Sequence, residues 1–174
     1  PEPPPGWWDA PGHLLAAELQ VALPDGVSVA RSEEDTGFLQ AELDAPDGPG
    51  RFEVILYPPD LAAGEERTTG NARGPGHRSR TKCGLQARYA DTCEELTDRD
   101  GRTIGRVVTF RQHQVTFYEA TLLGPDGGLV YLATWNATDE KPGTGTEPSS
   151  ETPPLTPEQL RDLVQDPAWT SYEP

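Results

Sequence analysis

The sequence predicts an α+β domain, in which one antiparallel, meander-like sheet of six or seven strands carries a helix from each end of the chain. Three observations predict it. Residues 103–136 are dominated by β-branched and aromatic side chains, a composition that suits a pleated, half-buried surface. Within them, Gly124-Pro125-Asp126-Gly127-Gly128 is turn chemistry: Pro presets φ, Asp bonds its own backbone, and Gly takes positive φ. Near both chain ends, by contrast, apolar residues recur at helical spacing.

Residues 1–12 form a Pro-rich lead, expected to be an extended, mobile tether ahead of a domain spanning 13–169. Trp7 and Trp8 interrupt it, and one of these rings is expected to pack back on the domain. The stretch from His13 to Leu23 reads as a helix with Leu15, Leu19 and Ala22 on one stripe and Leu14, Ala17 and Val21 beside it, a broad apolar face. Pro24-Asp25-Gly26 stops it. A short strand follows at 27–31, then an acidic turn at Glu33-Glu34-Asp35, and a second strand at 38–43. After a Pro/Gly turn at 44–50, a third strand runs from Arg51 to Tyr57 and ends at Pro58-Pro59.

Residues 61–82 lack periodicity and read as a long loop. Arg67, Arg73, Arg78, Arg80 and Lys82 make it basic, with no acid after Glu66. Either its charges are simply solvated, or it is a basic flap that contacts an anionic neighbour. Residues 96–101 read as a turn into the central strands. In the hairpin, flanking the turn with Gly124 and Gly128 sets Leu122 opposite Val130 and Ala120 opposite Leu132, with Tyr118 next, on the main core. Phe117, Leu123, Tyr131 and Trp135 then share the other face. Both faces are apolar, so each needs a cover, and the two helices are candidates for opposite faces. A second loop spans 137–153. Thr156 then reads as an N-cap, Pro157 as the first helical residue and Gln159 as the partner in a capping box. Leu155 and Leu160 suit a hydrophobic staple, and Leu160, Leu163 and Val164 form the buried stripe. Pro167 ends the helix, Trp169 is placed to fold back, and 170–174 is a tail.

The chain has 174 residues, long enough for one domain with a core, but its 18 Gly and 19 Pro imply long irregular segments. Its charge is uneven, −12 over residues 1–66, +5 over 67–113 and −8 over 114–174. The net −15 disfavours nucleic acid and anionic membranes as partners. No apolar run reaches the roughly 18 residues of a membrane span, and no cleavable signal peptide is visible. The chain starts at Pro1, so a preceding segment is expected to have been removed. Two Lys, no Met and abundant Arg, Ala, Gly and Pro suggest a GC-rich bacterial genome.

Cys83 and Cys93 are the only cysteines. Their spacing matches neither Cys-x-x-Cys redox pairs nor zinc sites, so a structural disulfide in an oxidising compartment is expected; two free cytoplasmic thiols are the alternative. Closing that 11-residue loop stabilises the fold by about 2.8 kcal/mol in the chain-entropy model. His13, His77 and His113 are scattered without ligand spacing. Asp98 and Asp100 start like a calcium loop but lack its later ligands. Glu94-Glu95 reads as a solvated turn, and Asn136-Ala137-Thr138 as an idle glycosylation sequon. There is no nucleophile elbow, phosphate loop or zincin motif.

Several pieces carry a resemblance: Leu14 to Leu19 with Leu23-Pro24-Asp25-Gly26, Pro49 to Val54, the Cys83…Cys93 pair, Trp135-Asn136-Ala137 with Glu140-Lys141, and Pro153 to Leu160 with Asp166 to Trp169. Together they resemble extracytoplasmic domains of uncharacterised actinobacterial membrane-anchored proteins or lipoproteins. The resemblance implies an N-terminal anchor, a disulfide and an outward-facing domain, and no catalytic residue. Some such proteins look like partners of extracytoplasmic-function sigma factors. The expected function is therefore extracytoplasmic, non-enzymatic sensing or binding of a protein or envelope ligand, without cofactor or metal. An enzyme or accessory factor acting on envelope polymers is the alternative. A structural envelope protein that assembles through exposed Trp7, Trp8 or Trp169 is the third.

Overall fold

The computed structural model describes residues 3–59, 80–84 and 88–174. They form one seven-stranded antiparallel sheet with two helices, the α+β architecture expected. In chain order the elements are α1 (Gly12–Ala22), β1 (Ser28–Asp35), β2 (Phe38–Asp44), β3 (Gly50–Tyr57), β4 (Thr92–Thr97), β5 (Thr103–Gln112), β6 (Val115–Leu123), β7 (Leu129–Trp135) and α2 (Pro157–Val164). The spatial order is β1-β2-β3-β7-β6-β5-β4. Two meanders thus meet where β3 pairs with β7. The link from β3 to β4 must cross from mid-sheet to the far edge.

The register separates two chemically different faces. One row across the sheet reads Glu34, Leu39, Val54, Leu132, Ala120, Val107, Glu94, apolar in the middle and acidic at each edge. The next row, on the opposite face, reads Glu33, Gln40, Glu53, Ala133, Glu119, Val108, Cys93. Both helices bury their apolar stripes on the first face, in one cluster that holds Leu15, Leu19, Leu160, Leu163 and Val164 with Leu39, Val54 and Leu132. Helices on opposite faces are therefore ruled out. Only the first face is apolar across its central strands, and burying Glu53 and Glu119 under a helix would strand their charges.

The hairpin register is as read from the sequence: Leu122 pairs with Val130, Ala120 with Leu132 and Tyr118 with Thr134. The α2 cap also forms, with Gln159 N donating to Thr156 Oγ1 at 3.1 Å and Thr156 N donating to Gln159 Oε1 at 2.9 Å. Trp169 is fully buried and its indole N–H donates to Leu163 O at 2.8 Å.

Other local expectations change. Glu33-Glu34-Asp35 is not a turn but the end of edge strand β1, and Glu94-Glu95 lies in edge strand β4. Edge strands need no buried face, and their charges discourage pairing with another chain. The face of α1 is narrower than its pattern suggests, because Val21 is 82% and Leu14 44% exposed. The lead is not wholly extended. Trp7–Asp9 is a 3₁₀ turn with both indoles buried, and Trp7 Nε1 donates to Pro125 O at 3.1 Å. Gly124 and Gly128 let it approach, since a Cβ at either would lie 2.4 Å from its ring. With Trp7, Trp8 and Trp169 all buried, assembly through exposed indoles loses its basis.

Candidate functional site

The helix-free face is roofed at two places, leaving a cleft between them. One roof is the segment after β7. Trp135 Nε1 donates to Asp139 O at 2.9 Å, and Gln40 Nε2 to Glu140 O at 3.3 Å. Asn136 is buried, its amide donating to Ser150 O and Glu151 O while its Oδ1 accepts from Thr116 N, so the sequon asparagine is structural. Beneath this roof lies Arg51, 4% exposed, bonded to Gln40 Oε1 and 3.8 Å from a Glu140 carboxylate oxygen.

The second roof is the end of the β3–β4 link, which steps across the sheet strand by strand. Arg80 O accepts from Thr121 Oγ1 of β6 at 2.6 Å, and Lys82 O accepts from Arg106 Nη1 of β5 at 2.8 Å. Cys83 is then joined to Cys93 of β4, S–S 2.01 Å, and Cys83 N donates to Glu95 Oε1 at 3.0 Å. The disulfide expected from the sequence is present, and such bonds persist in oxidising compartments.

Between the roofs lies a cavity of about 470 Å³. Its floor is a patch of the second face: Glu53 and Ile55 of β3, Tyr131 of β7, Glu119 and Thr121 of β6, Arg106 and Val108 of β5. Its walls include Tyr57, Arg80 and Tyr89. The Arg80 guanidinium sits over the Tyr57 ring, 4.7 Å from the centroid. Tyr89 packs edge-on to Phe110, which stacks on Phe117 and through it on Trp135, so an aromatic row stiffens one side.

Glu53 and Glu119 both lie opposite Ala133, on either side of β7. Ala133 itself is buried, and the two glutamates line the cavity beside it. Burial raises the Glu53 carboxyl above its ordinary range and the Glu119 charge adds to this, while Gln40 and Arg51 oppose it. Burial raises Glu119 too, opposed by the Tyr131 hydroxyl, which donates to its Oε2, and by Arg106 and Arg80. The Tyr131 phenol is driven far above its ordinary value by burial first and the Glu119 charge second, so it stays a donor. Among the described residues, neither guanidinium of the cleft is ion-paired to either carboxylate. Two acids and two bases therefore face one cavity without neutralising one another directly.

Of the basic residues singled out by sequence, Arg80 lines the cleft and Lys82 is exposed beside it. Arg67, Arg73 and Arg78 lie outside the described residues. His113 occupies the exposed β5–β6 turn with φ 57°. The Asp98 carboxylate accepts from Asp100 N and Arg102 N at 2.9 and 3.0 Å, shaping a turn. Sequence reading missed Glu53, Glu119, Arg106 and Tyr131. The available signal was a lone acid inside each of two central strands whose other residues are mostly apolar or aromatic. Among the described residues, no helix is long and apolar enough to cross a membrane.

Comparisons with protein families, curated proteins and solved structures find no match for this chain.

Proposed function

We propose that this chain is an extracytoplasmic, non-enzymatic sensing or binding domain whose ligand sits in the cleft on the helix-free face. The observation that carries this is four charged side chains, Glu53, Glu119, Arg80 and Arg106, converging on a cavity with one wall clamped by a disulfide. Pre-formed polar groups on a rigid sheet suit recognition. The Glu119 carboxylate is already held by Tyr131, which orients it and leaves it less free as a proton carrier. The disulfide supports an oxidising address, and the resemblance to actinobacterial anchored domains supports placement at the cell surface, by membrane anchor or by secretion.

One observation favours a second reading, an enzyme acting on envelope polymers. Two carboxylates flank a small residue, with backbones about 10 Å apart by two strand spacings. Paired acids with room for a water between them are the hallmark of inverting glycoside hydrolysis. A single experiment separates the readings: incubate the protein with solubilised envelope fragments, ultrafilter, and analyse both fractions by mass spectrometry. Retention of an unaltered small molecule, lost in Glu119→Gln, is the expected result. New cleavage products that require Glu53 and Glu119 would replace binding with catalysis.

A further inference from the structure

We propose that the cleft selects a small zwitterion, an amino acid or short peptide, with its ammonium between Glu53 and Glu119 and its carboxylate on the Arg80 and Arg106 side. This rests on the binding reading above and specifies its ligand class.

Glu53 and Glu119 face each other across Ala133 and repel. Both line the same cavity, and an ammonium held there brings three N–H donors and one positive charge, satisfying both acids at once. On the other side, Arg106 is 9% exposed and uses Nη1 on Lys82 O, leaving further donors of its fork for a ligand. Arg80 is held over Tyr57, so its guanidinium is positioned in advance. A carboxylate matches such donors in geometry as well as in charge.

Other ligand classes fit less well. The four charged groups of the lining sum to zero, so a simple anion would leave the acids repelling, and a simple cation would leave two guanidiniums desolvated. A neutral sugar would leave all four without a counter-charge. The molecule as a whole carries −15, which repels anions at a distance but exerts little net force on a zwitterion. The cavity, about 470 Å³, lies in the lower half of the range for small-molecule sites, which suits an amino acid or short peptide.

The test is calorimetric titration of the oxidised protein at neutral pH with three dipeptides: dialanine, alanyl-tyrosine and alanyl-lysine. Each is compared with its N-acetyl and its C-amide form; N-acetylglucosamine and inorganic phosphate are added as separate ligands. At least one free dipeptide is expected to bind, and either cap should weaken it tenfold or more. In Glu53→Gln the penalty for N-acetylation should shrink, and in Arg80→Gln the penalty for amidation should shrink, with melting curves showing that both variants fold. Equal affinity of capped and free dipeptides overturns the proposal, as does the absence of dipeptide binding. If the sugar or phosphate binds instead, and Glu119→Gln or Arg80→Gln weakens it, the cleft remains a binding site of another class. If nothing binds here and the envelope experiment retains nothing, the binding reading falls as well.

Discussion

Severing the Cys83–Cys93 bond probes how the cleft wall is held. The bond closes an 11-residue loop, and removing that constraint from the unfolded chain costs about 2.8 kcal/mol of stability. For a chain of this size, each kcal/mol moves the melting temperature by roughly 2–4 °C, so the expected drop is about 6–11 °C. The matched perturbation is the double variant Cys83→Ser with Cys93→Ser. Cys83 is exposed and Cys93 half-buried, so serine strands no polar atom in an apolar interior. In urea unfolding of the oxidised protein, the reduced protein and the variant, the last two should coincide at a lower midpoint, with a slope equal to or slightly above that of the oxidised protein. The hydrogen bonds of Thr121 to Arg80 O and of Arg106 to Lys82 O remain, so the segment should stay in place in the folded state. A loss below about 0.5 kcal/mol would refute the chain-entropy argument, and a steeper slope without the bond would report an unfolded chain that is less compact once the cross-link is gone.

Three further perturbations bear on the fold. Trp169→Ala empties a fully buried site in the core cluster that both helices share and should cost about 3–5 kcal/mol; Trp169→Phe keeps most of the packing and removes one bond to Leu163 O, which still accepts from Asp166 N at 3.1 Å, and should cost about 1 kcal/mol, both read by denaturant unfolding. Thr156→Ala removes the α2 cap and should cost about 1 kcal/mol, with loss of amide protection confined to the first turn of α2 in hydrogen exchange. Glu18 is raised from 4.5 to about 7, by burial first and then by its hydrogen bond to Asp166 and that residue's charge. The native state therefore binds more protons than the unfolded state between those values, and stability should fall as pH rises through that window. Solvent screening holds this to about 1 kcal/mol, and Glu18→Gln should flatten the slope; an unchanged slope would remove Glu18 as its source.

What could be read in the sequence was whatever local chemistry determines. The Gly124–Gly128 turn set the β6–β7 register by itself, because a one-residue slip would move every side chain to the wrong face. Thr156, Pro157 and Gln159 specify a helix start within four residues. Edge strands were harder. Glu33 to Asp35 and Glu94-Glu95 show no alternation, because an edge strand here has little core to face. The cleft was hidden for a topological reason. Glu53 and Glu119 become neighbours only when β7 inserts between β3 and β6, and that strand order is not written in chain order. Arg80 was singled out for its charge, but its place depends on the crossing link and its disulfide. The cysteine pair was legible because a covalent constraint needs only two residues and their spacing.

We place the ligand on the helix-free face, and not on the helix-covered face or the chain ends, as a proposal. Isotope-labelled protein titrated with the retained envelope molecule or a binding dipeptide, followed by amide chemical shifts, tests it most directly. Saturable shifts are expected at Glu53, Arg106, Glu119 and Tyr131, with α1 and α2 silent. Shifts confined to the two helices, or to the Trp7 region, would contradict the proposal.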